Sequence, residues 1–444
     1  MPAGRVACAL LSLSLLTGIY HPGEVHSEPP TTLVFPTFLH TWGIHKATSL
    51  HLFMFLGLKT KFNDPQGLAA VRLQTWDDPA SQYDDDELTV YGVNSGEHNI
   101  IYNTSMYSLG VYGQEGNGSG RFQNPLGIAA DEQGNVYVAD TGNHRVVHLY
   151  NSGKELNWAG IVGSQGDGPG HFLSPCDVAL DSQGHLYVTD TGNGRIQVFD
   201  AYGHFLQEIK ADLVSPRSIA VIDSQERWSY YGEPYICVVD SGGYRLNKLA
   251  PQGRLLKRVK SQETGLSKAR FGYVAIDYYG NAWVTDPENH CVHKFDRHLN
   301  YIVSFGKKGK GDREFFSPRG LAIWRRFGQV FVAEKEGAQY YWVGVDVLRV
   351  EVGQNSGEGK VKIRFFLTER AYLTIDIWDD RGEKIKTLVT AKEEPLGDRK
   401  YLWDRRDAAG NLAAPGEYRV KITAEPTYSS YHYFQKVVEK RVKL

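Results

Sequence analysis

The sequence predicts an all-β protein in which a six-bladed β-propeller is followed by a small Ig-like β-sandwich. A step of the type Pro-x-Gly-Ile-Ala recurs six times before a short strand, and most copies continue into a turn similar to Asp-Thr-Gly-Asn-His-Arg. After Asp346 the pattern changes to about seven short alternating strands. Four-stranded units repeated radially form a propeller, and about seven short strands in about a hundred residues are typical of an Ig-like sandwich.

The two clearest repeats begin at Phe122 and Phe172, fifty residues apart. They read FQNPLGIAADEQGNVYVADTGNHRVVHLY and FLSPCDVALDSQGHLYVTDTGNGRIQVFD. Repeats of this length indicate stacked supersecondary units. Because apolar and polar residues alternate between Gly-rich turns, each unit is predicted to hold about four antiparallel strands.

Four further units carry the pattern with changes. One starts at Asp64 and resumes at Glu87 after an insertion, and another, LVSPRSIAVID, is followed by an insertion around Trp228. A third, YVAIDYYGNAWVTDPENHCVHKFD, lacks the proline, and the last has Glu334 in place of the repeat aspartate. We expect the apolar run at residues 51–56 to form a strand that completes the sixth blade and leaves no exposed edge.

The repeat turns resemble those of the NHL family. Asn143 and His144, with Val146 in the place of leucine, stand at the positions that give the family its name, and the likeness covers roughly residues 50–346. The resemblance implies an NHL-type propeller. NHL-type propellers include the peptidylglycine amidating lyases, whose blades contribute histidines to a site resembling a zinc site near the axis. These lyases lead one to expect histidine after the repeat proline, and this chain instead has the residues Gln66, Leu126, Cys176, Arg217 and Arg319.

The carboxyl-terminal segment resembles the Ig-like domain of the FlgD flagellar hook-capping family. The likeness rests on Trp403-Asp404, Asp407, Gly410 and the run PGEY at residues 415–418, with Arg405 in place of the usual glycine. The resemblance implies an exported bacterial protein, because such modules stand at the carboxyl end of many exported bacterial proteins. Some of these proteins are cargo for outer-membrane secretion. The basic finish from Lys436 to Lys443 is compatible with sorting and equally with a solvated last strand.

The chain is predicted to have four parts. Arg5, an apolar run at residues 6–16 and Ser27 at a small-residue cleavage site are typical of a signal peptide, and the run is too short for a membrane span. We therefore expect a secreted, periplasmic or cell-surface protein without an integral membrane segment after cleavage. The parts are 1–27, signal peptide; 28–50, lead-in segment; 51–346, propeller; and 347–444, Ig-like domain.

Charge and cysteine content exclude some classes of function. The formal net charge is −2 and cations are interspersed with anions, so no basic stripe predicts nucleic-acid binding. After signal cleavage, Cys176, Cys237 and Cys291 would remain, without a CxxC motif, which argues against a zinc knuckle or a redox pair. We expect Cys237, at a strand position, to be a small buried hydrophobe.

The predicted ligand site lies where the chain enters the central channel. The first strand of a blade is nearest the axis, so the residue after each repeat proline is expected at one channel face. Arginine guanidiniums at this face would bind carboxylates or other anions in a bidentate manner. An acidic peptide terminus, an acidic sugar or a carboxylate-rich protein loop would fit. The predicted ligand-binding residues are Gln66, Cys176, Arg217, Tyr273 and Arg319.

Other recurring polar residues are predicted to be structural. A carboxylate in a tight turn accepts local backbone N–H bonds, and an arginine five residues later would bridge strands or blades. Histidines at one repeat position come from different blades and are not expected to converge on one metal. These residues are Asp140, Asp190, Asp240 and Asp286; Arg145, Arg195 and Arg245; and His98, His144 and His290.

The insertion in the first repeat is acidic. It places six carboxylates within twelve residues, and calcium takes six to eight oxygens from such loops. The spacing is not that of an EF-hand, so a solvated acidic loop is the alternative. Apart from Ca²⁺ here, no cofactor is predicted. The candidate calcium ligands are Asp77, Asp78, Asp84, Asp85, Asp86 and Glu87.

Three functions are compatible with the sequence. The favoured one is an exported, non-enzymatic scaffold that binds a protein, peptide or glycan at the channel face, with the Ig-like domain for anchoring or sorting. The second is a metal-dependent lyase or hydrolase with ligands from inserted loops, including His171 and His204. The third is a purely structural component of the cell envelope.

Overall fold

A computed structural model describes residues 30–37, 45–57, 60–74, 88–105, 108–153, 155–354, 359–428 and 430–444. The predicted signal peptide and the candidate calcium ligands Asp77, Asp78, Asp84, Asp85, Asp86 and Glu87 lie outside these residues. None of the helices in the described segments has the length and apolarity that a membrane crossing requires.

The described chain begins with two short strands and a helix: β1 (Leu33–Val34), β2 (Lys46–Thr48) and α1 (Ser49–Leu56). The strand predicted for residues 51–56 is therefore wrong. A continuous apolar run does not distinguish helix from strand by its period, and here Thr48 caps a helix. The Thr48 N–H donates to His51 Nδ1 at 3.1 Å. Leu52 is the buried residue of α1.

Within the described residues the propeller contains six antiparallel sheets, here called blades 1 to 6. Blade 1 consists of β3 (Pro65–Val71), β4 (Thr89–Asn94), β5 (Asn99–Ser105) and β6 (Ser108–Tyr112). A parallel pair, β7 (Gln114–Glu115) and β8 (Arg121–Phe122), precedes blade 2, which consists of β9 (Pro125–Ala130), β10 (Asn135–Asp140), β11 (Arg145–Asn151) and β12 (Leu156–Val162).

A second parallel pair, β13 (Ser164–Gln165) and β14 (His171–Phe172), precedes blade 3. Blade 3 consists of β15 (Pro175–Leu180), β16 (Leu186–Asp190), β17 (Arg195–Phe199) and β18 (Phe205–Ile209). Blade 4 consists of β19 (Ser218–Ile222), β20 (Tyr235–Asp240), β21 (Arg245–Leu249) and β22 (Leu255–Lys260). Blade 5 consists of β23 (Val274–Ile276), β24 (Ala282–Asp286), β25 (Cys291–Phe295) and β26 (Tyr301–Phe305).

Blade 6 closes the ring with residues from both ends of the propeller. It consists of β27 (Pro318–Trp324), β28 (Gln329–Glu334) and β29 (Gly337–Val343), and both β1 and β2 pair with β29. Thr31 N–H and the Thr32 hydroxyl, just before β1, donate to the carboxylate of Asp346, just after β29, at 2.9 and 2.7 Å. The amino-terminal residues thus cover the edge of the last blade.

The first strands of the blades form a closed inner ring. β3, β9, β15, β19, β23 and β27 contact one another in this order, and β27 returns to β3. The repeat glycine permits this approach: a Cβ atom at Gly320 would lie 1.9 Å from the Gln66 carbonyl oxygen, and one at Gly67 would lie 2.8 Å from that of Leu126. The Pro-x-Gly step therefore needs glycine because two backbones meet there.

The recurring aspartates and arginines have the structural roles predicted for them. Asp190 accepts the Leu173 N–H at 2.8 Å and the Arg195 Nε–H at 2.8 Å, while Arg195 also donates to the His171 carbonyl oxygen. Asp140 and Arg145 repeat this arrangement in blade 2. The prediction is confirmed for these pairs, which join strands β16 and β17, and β10 and β11, to the segment before the same blade.

The recurring histidines join neighbouring blades. His144 Nδ1 accepts the Ser174 N–H at 2.9 Å, and His290 Nδ1 accepts the Ser317 N–H at 2.9 Å. His98 accepts the Asn124 N–H in the same way. Each acceptor lies between the second and third strands of one blade, and each donor precedes the proline of the next. The prediction of a structural role is confirmed.

The remaining strands form two packed sheets. The first contains β30 (Val347–Gln354), β31 (Val361–Leu367) and β34 (Gly397–Trp403); the second contains β33 (Lys384–Glu394), β32 (Ala371–Trp378), β35 (Glu417–Pro426) and β36 (Lys436–Lys443). The buried Trp403 ring packs edge-on against Tyr418 at 5.2 Å. The Tyr418 hydroxyl donates to the Ala414 carbonyl oxygen, similar to the tyrosine corner of Ig-like domains.

Buried polar contacts join this sandwich to blade 5. Lys294 Nζ on β25 donates to Glu369 Oε2 at 2.5 Å and to the Thr368 carbonyl oxygen at 2.8 Å. Lys294 and Glu369 are both fully buried. The Tyr279 hydroxyl also bonds the Thr427 hydroxyl at 2.8 Å. The two domains are therefore joined by a buried ion pair and hydrogen bonds.

Candidate functional site at the propeller axis

The residues that follow the repeat prolines come together at the start of the inner strands. We call Gln66, Leu126, Cys176, Arg217, Tyr273 and Arg319 the axial cluster. Tyr273 links its members: its hydroxyl donates to the Leu126 carbonyl oxygen at 3.2 Å. Cys176, Arg217 and Arg319 also lie close enough to act electrostatically on its phenol. Burial raises the pKa of Tyr273 well above its usual range, so the phenol is neutral.

Gln66 and Arg319 share one carboxylate. Gln66 Nε2 donates to Asp64 Oδ2 at 2.9 Å, and Arg319 NH1 lies 2.8 Å from Asp64 Oδ1. Gln66 is buried, whereas the Arg319 side chain is 27% exposed. Arg319 Nε is buried and finds no hydrogen-bond partner among the described residues. Arg319 thus retains donor capacity beyond Asp64.

Arg217 is the exposed cation of the cluster. Its backbone N–H is held by the Val239 carbonyl oxygen at 2.8 Å, which fixes the residue just before β19. The side chain is exposed and forms no ion pair with a carboxylate in the described parts of the chain. A guanidinium in this state can accept an anionic ligand without first releasing a partner.

Cys176 is not poised as a nucleophile. Its side chain is buried, and burial raises the pKa of the thiol above its ordinary value, although the nearby Arg217 guanidinium acts in the opposite direction. A protonated thiol is a weak nucleophile. We therefore assign Cys176 to the wall of the channel.

Asp177 and Ser218 are buried next to the axial cluster and were not predicted. Asp177 Oδ2 accepts the Ser218 hydroxyl at 2.8 Å and the Ile219 N–H at 3.0 Å, and the Ser218 hydroxyl accepts the Val274 N–H at 3.1 Å. Both residues replace the repeat glycine, and that departure from the Pro-x-Gly pattern was the available signal. Burial raises the pKa of Asp177 to about 7, although these hydrogen bonds act in the opposite direction.

A cavity of ≈ 400 Å³ lies among the turns between first and second strands, at the opposite end of the axis from the axial cluster. The insertion around Trp228 contributes to it together with Trp324 and Arg326. The Arg326 guanidinium stacks 4.6 Å from the Phe327 ring and 5.3 Å from the Trp228 ring. The insertion and the β27–β28 turn thus form a wall of cations and aromatic rings that the repeat pattern does not predict.

The histidines proposed for a hydrolase site are engaged locally. His171 Nδ1 bonds the Ser164 hydroxyl at 2.9 Å, and His204 Nδ1 lies 3.0 Å from Asp200 Oδ2. Neither joins a group of three metal-ligating side chains in the described segments. At the axis, Arg217 and Arg319 present guanidiniums, and the thiol of Cys176 is not activated as a nucleophile.

Two segments of the propeller and most of the sandwich match known domain families. The NHL repeat matches residues 122–149 and 172–199, and the FlgD Ig-like domain matches residues 351–427. No curated protein matches the chain.

Three solved bacterial structures are among those to which the chain is similar. PorZ of Porphyromonas gingivalis, a surface component of the type-IX secretion system, has 14% identity and a TM-score of 0.46; the match covers 89% of this chain and 54% of PorZ. The gluconolactonase XC5397 of Xanthomonas campestris has 15% identity and a TM-score of 0.44, covering 67% of this chain and 93% of the enzyme. Virginiamycin B lyase of Staphylococcus aureus has 12% identity and a TM-score of 0.39; the match covers 57% of this chain and 77% of the lyase. Such low similarity transfers no activity. The chain therefore contains NHL repeats in a β-propeller and a FlgD Ig-like domain after it, a combination that fits a binding or scaffold role.

Proposed function

We propose that this protein is an exported, non-enzymatic scaffold that binds a protein, peptide or glycan through an anionic group at the axial cluster. The observation that carries the proposal is Arg217, an exposed guanidinium at the channel face that forms no ion pair among the described residues. Arg319 supports it, because its buried Nε has no hydrogen-bond partner in the same part of the chain. Carboxylates and similar anions are the ligands that arginine guanidiniums bind.

The ligand is proposed to stay at the channel face. The Tyr273 phenol crosses the ring to Leu126, so a chain-like ligand would present a terminus or a side group instead of threading the axis. Gln66 and Cys176 are buried and line the site, while Arg217 and Arg319 supply the charge. The FlgD Ig-like domain would anchor or sort the scaffold, to which it is joined by the Lys294–Glu369 pair.

Isothermal titration calorimetry with hexaglutamate and with trigalacturonate tests the binding site. We expect the full chain to bind at least one probe more weakly as salt is raised, because exposed charges are screened. Arg217→Ala combined with Arg319→Ala should weaken binding about tenfold or more, since a hydrogen bond to a charged group contributes ~1.5–3 kcal/mol. Arg254→Ala, an exposed arginine in the turn between β21 and β22, is the matched control. Equal affinity of the double variant, or no binding of either probe, would reject the axial site.

A further inference from the structure

Blade 5 departs from its neighbours at one buried position. In blades 3 and 4 the last residue of the second strand is paired across the ladder with an arginine: Asp190 with Arg195, and Asp240 with Arg245. In blade 5 the same ladder position pairs Asp286 with Cys291. The arginine that neutralises the buried aspartate is therefore replaced by a thiol.

A second replacement accompanies the first. Two residues after the arginine, blades 3 and 4 carry amides that donate to the aspartate: Gln197 to Asp190 at 3.0 Å, and Asn247 to Asp240 at 3.0 Å. Blade 5 carries His293 there. A carboxylate, a thiol and an imidazole thus share a position that in the neighbouring blades holds a carboxylate, a guanidinium and an amide.

The three side chains converge to the spacing of a metal site. His293 Nε2 lies 3.1 Å from Asp286 Oδ2 and 3.9 Å from Cys291 Sγ, and the three ligand atoms all lie within 4.8 Å of one another. On a tetrahedral zinc ion, ligand atoms are about 3.3–3.6 Å apart, given its usual bond lengths. The separations of 3.1 and 3.9 Å lie on either side of this range, so small side-chain adjustments would bring the atoms to one ion.

The surrounding groups orient two of the ligands. His293 Nδ1 bonds the Ser304 hydroxyl at 2.8 Å, which leaves Nε2 directed at Asp286. Asn289 donates its backbone N–H to Asp286 Oδ1 at 3.0 Å and its amide to Oδ2 at 2.8 Å. Bonds of this kind hold the ligands of metal sites in place.

We propose that Asp286, Cys291 and His293 bind one zinc-class divalent ion that ties β24 to β25. A thiolate and an imidazole beside one carboxylate select zinc or cobalt over calcium or magnesium. The ion would neutralise the buried Asp286, as arginine does in blades 3 and 4. All three residues are at most 2% exposed, so a substrate cannot reach the ion. The fourth position of a tetrahedral ion would hold a water molecule, and the role of the ion would be to stabilise the blade. The proposal is independent of ligand binding at the axial cluster.

The test measures metal in the full chain produced with zinc in the medium, and cobalt binding after zinc is replaced. We expect about one zinc per chain and a thiolate-to-cobalt charge-transfer band in the near ultraviolet. Cys291→Ser and His293→Gln should each lose zinc, and Cys291→Ser should also lose the band. His293→Gln installs the residue that blade 3 carries, which favours a folded variant.

Cys237→Ala removes a fully buried thiol from blade 4 and is the matched control, expected to keep both zinc and the band. Zinc should also raise the melting temperature of the wild-type chain, because an ion that binds only the folded state stabilises it. A folded wild-type chain without bound zinc would overturn the proposal. Zinc retained in both the Cys291→Ser and His293→Gln variants would place the ion elsewhere and overturn it as well.

Discussion

The Tyr273 hydroxyl donates a hydrogen bond to the Leu126 carbonyl oxygen at 3.2 Å, although the two residues belong to blades 5 and 2 on opposite sides of the ring. The phenol therefore lies across the channel at the end where Arg217 and Arg319 are found. The buried Cys176 lies close enough to act electrostatically on the Tyr273 phenol. Tyr273 therefore lies beside the two guanidiniums and the buried thiol of the axial cluster.

Removing the Tyr273 ring should open a path to Cys176. We expect Tyr273→Ala to raise the rate at which Cys176 is alkylated by iodoacetamide, because access and thiolate content together set thiol reactivity. Mass spectrometry of the Cys176 peptide during a time course measures this rate. Tyr202→Ala removes an 87% exposed ring in a turn of blade 3 and should leave the rate unchanged. Equal rates in the wild type and in Tyr273→Ala would show that the ring does not limit access.

Removing one partner of the Lys294–Glu369 pair should destabilise the fold much more than replacing both partners. Glu369→Leu leaves the Lys294 ammonium buried without its carboxylate, and breaking such a pair costs ~3–5 kcal/mol. The double variant Lys294→Met with Glu369→Leu should recover most of that loss, because no charge is then left buried. Denaturant unfolding of the wild type, both single variants and the double variant measures the coupling. Lys257→Met, at an exposed position on β22, is the control; strictly additive losses would contradict the expectation.

Asp177 should make the stability of the propeller depend on pH. Burial raises its pKa from an ordinary 3.8 to about 7, so the folded chain keeps this proton where the unfolded chain loses it. Folding then binds a proton, and the free energy of unfolding falls as pH rises from about 4 to about 7, by at most ~4 kcal/mol. Asp177→Ser, which installs the residue that blade 4 carries, should abolish this fall.

The measurement is the melting temperature of the wild type and of Asp177→Ser across this pH interval. As pH rises, the melting temperature of Asp177→Ser should increase relative to that of the wild type. Parallel curves would show that Asp177 ionises with an ordinary pKa, held charged by the Ser218 hydroxyl and the Ile219 N–H.

Local chemistry explains which features the sequence could predict. Three recurring features contact backbone close to them in the fold: the Pro-x-Gly step, the turn aspartates and the recurring histidines. Their pattern therefore predicted the blades. The strand at residues 51–56 was wrong because a continuous apolar run fits either element, and the added strands at Leu33–Val34 and Lys46–Thr48 are too short to carry a period. The Asp64–Arg319 ion pair depends on ring closure, which joins residues far apart in the chain.

The repeat glycine offers the sharpest test of the inner ring. A Cβ atom at Gly320 would lie 1.9 Å from the Gln66 carbonyl oxygen, and backbone cannot move aside as a flexible side chain can. We expect Gly320→Ala to cost ~1–3 kcal/mol or more, because an overpacked contact forces neighbouring strands apart. In Gly160→Ala the new Cβ would meet no atom within 4 Å, so this strand glycine is the control and should change stability little. Since the strain would separate blades 6 and 1 beside Gln66 and Arg319, Gly320→Ala should also weaken anion binding at the axial cluster. Unfolding curves and calorimetric titrations that match those of Gly160→Ala would mean that the two inner strands are not packed as closely as the Pro-x-Gly step requires.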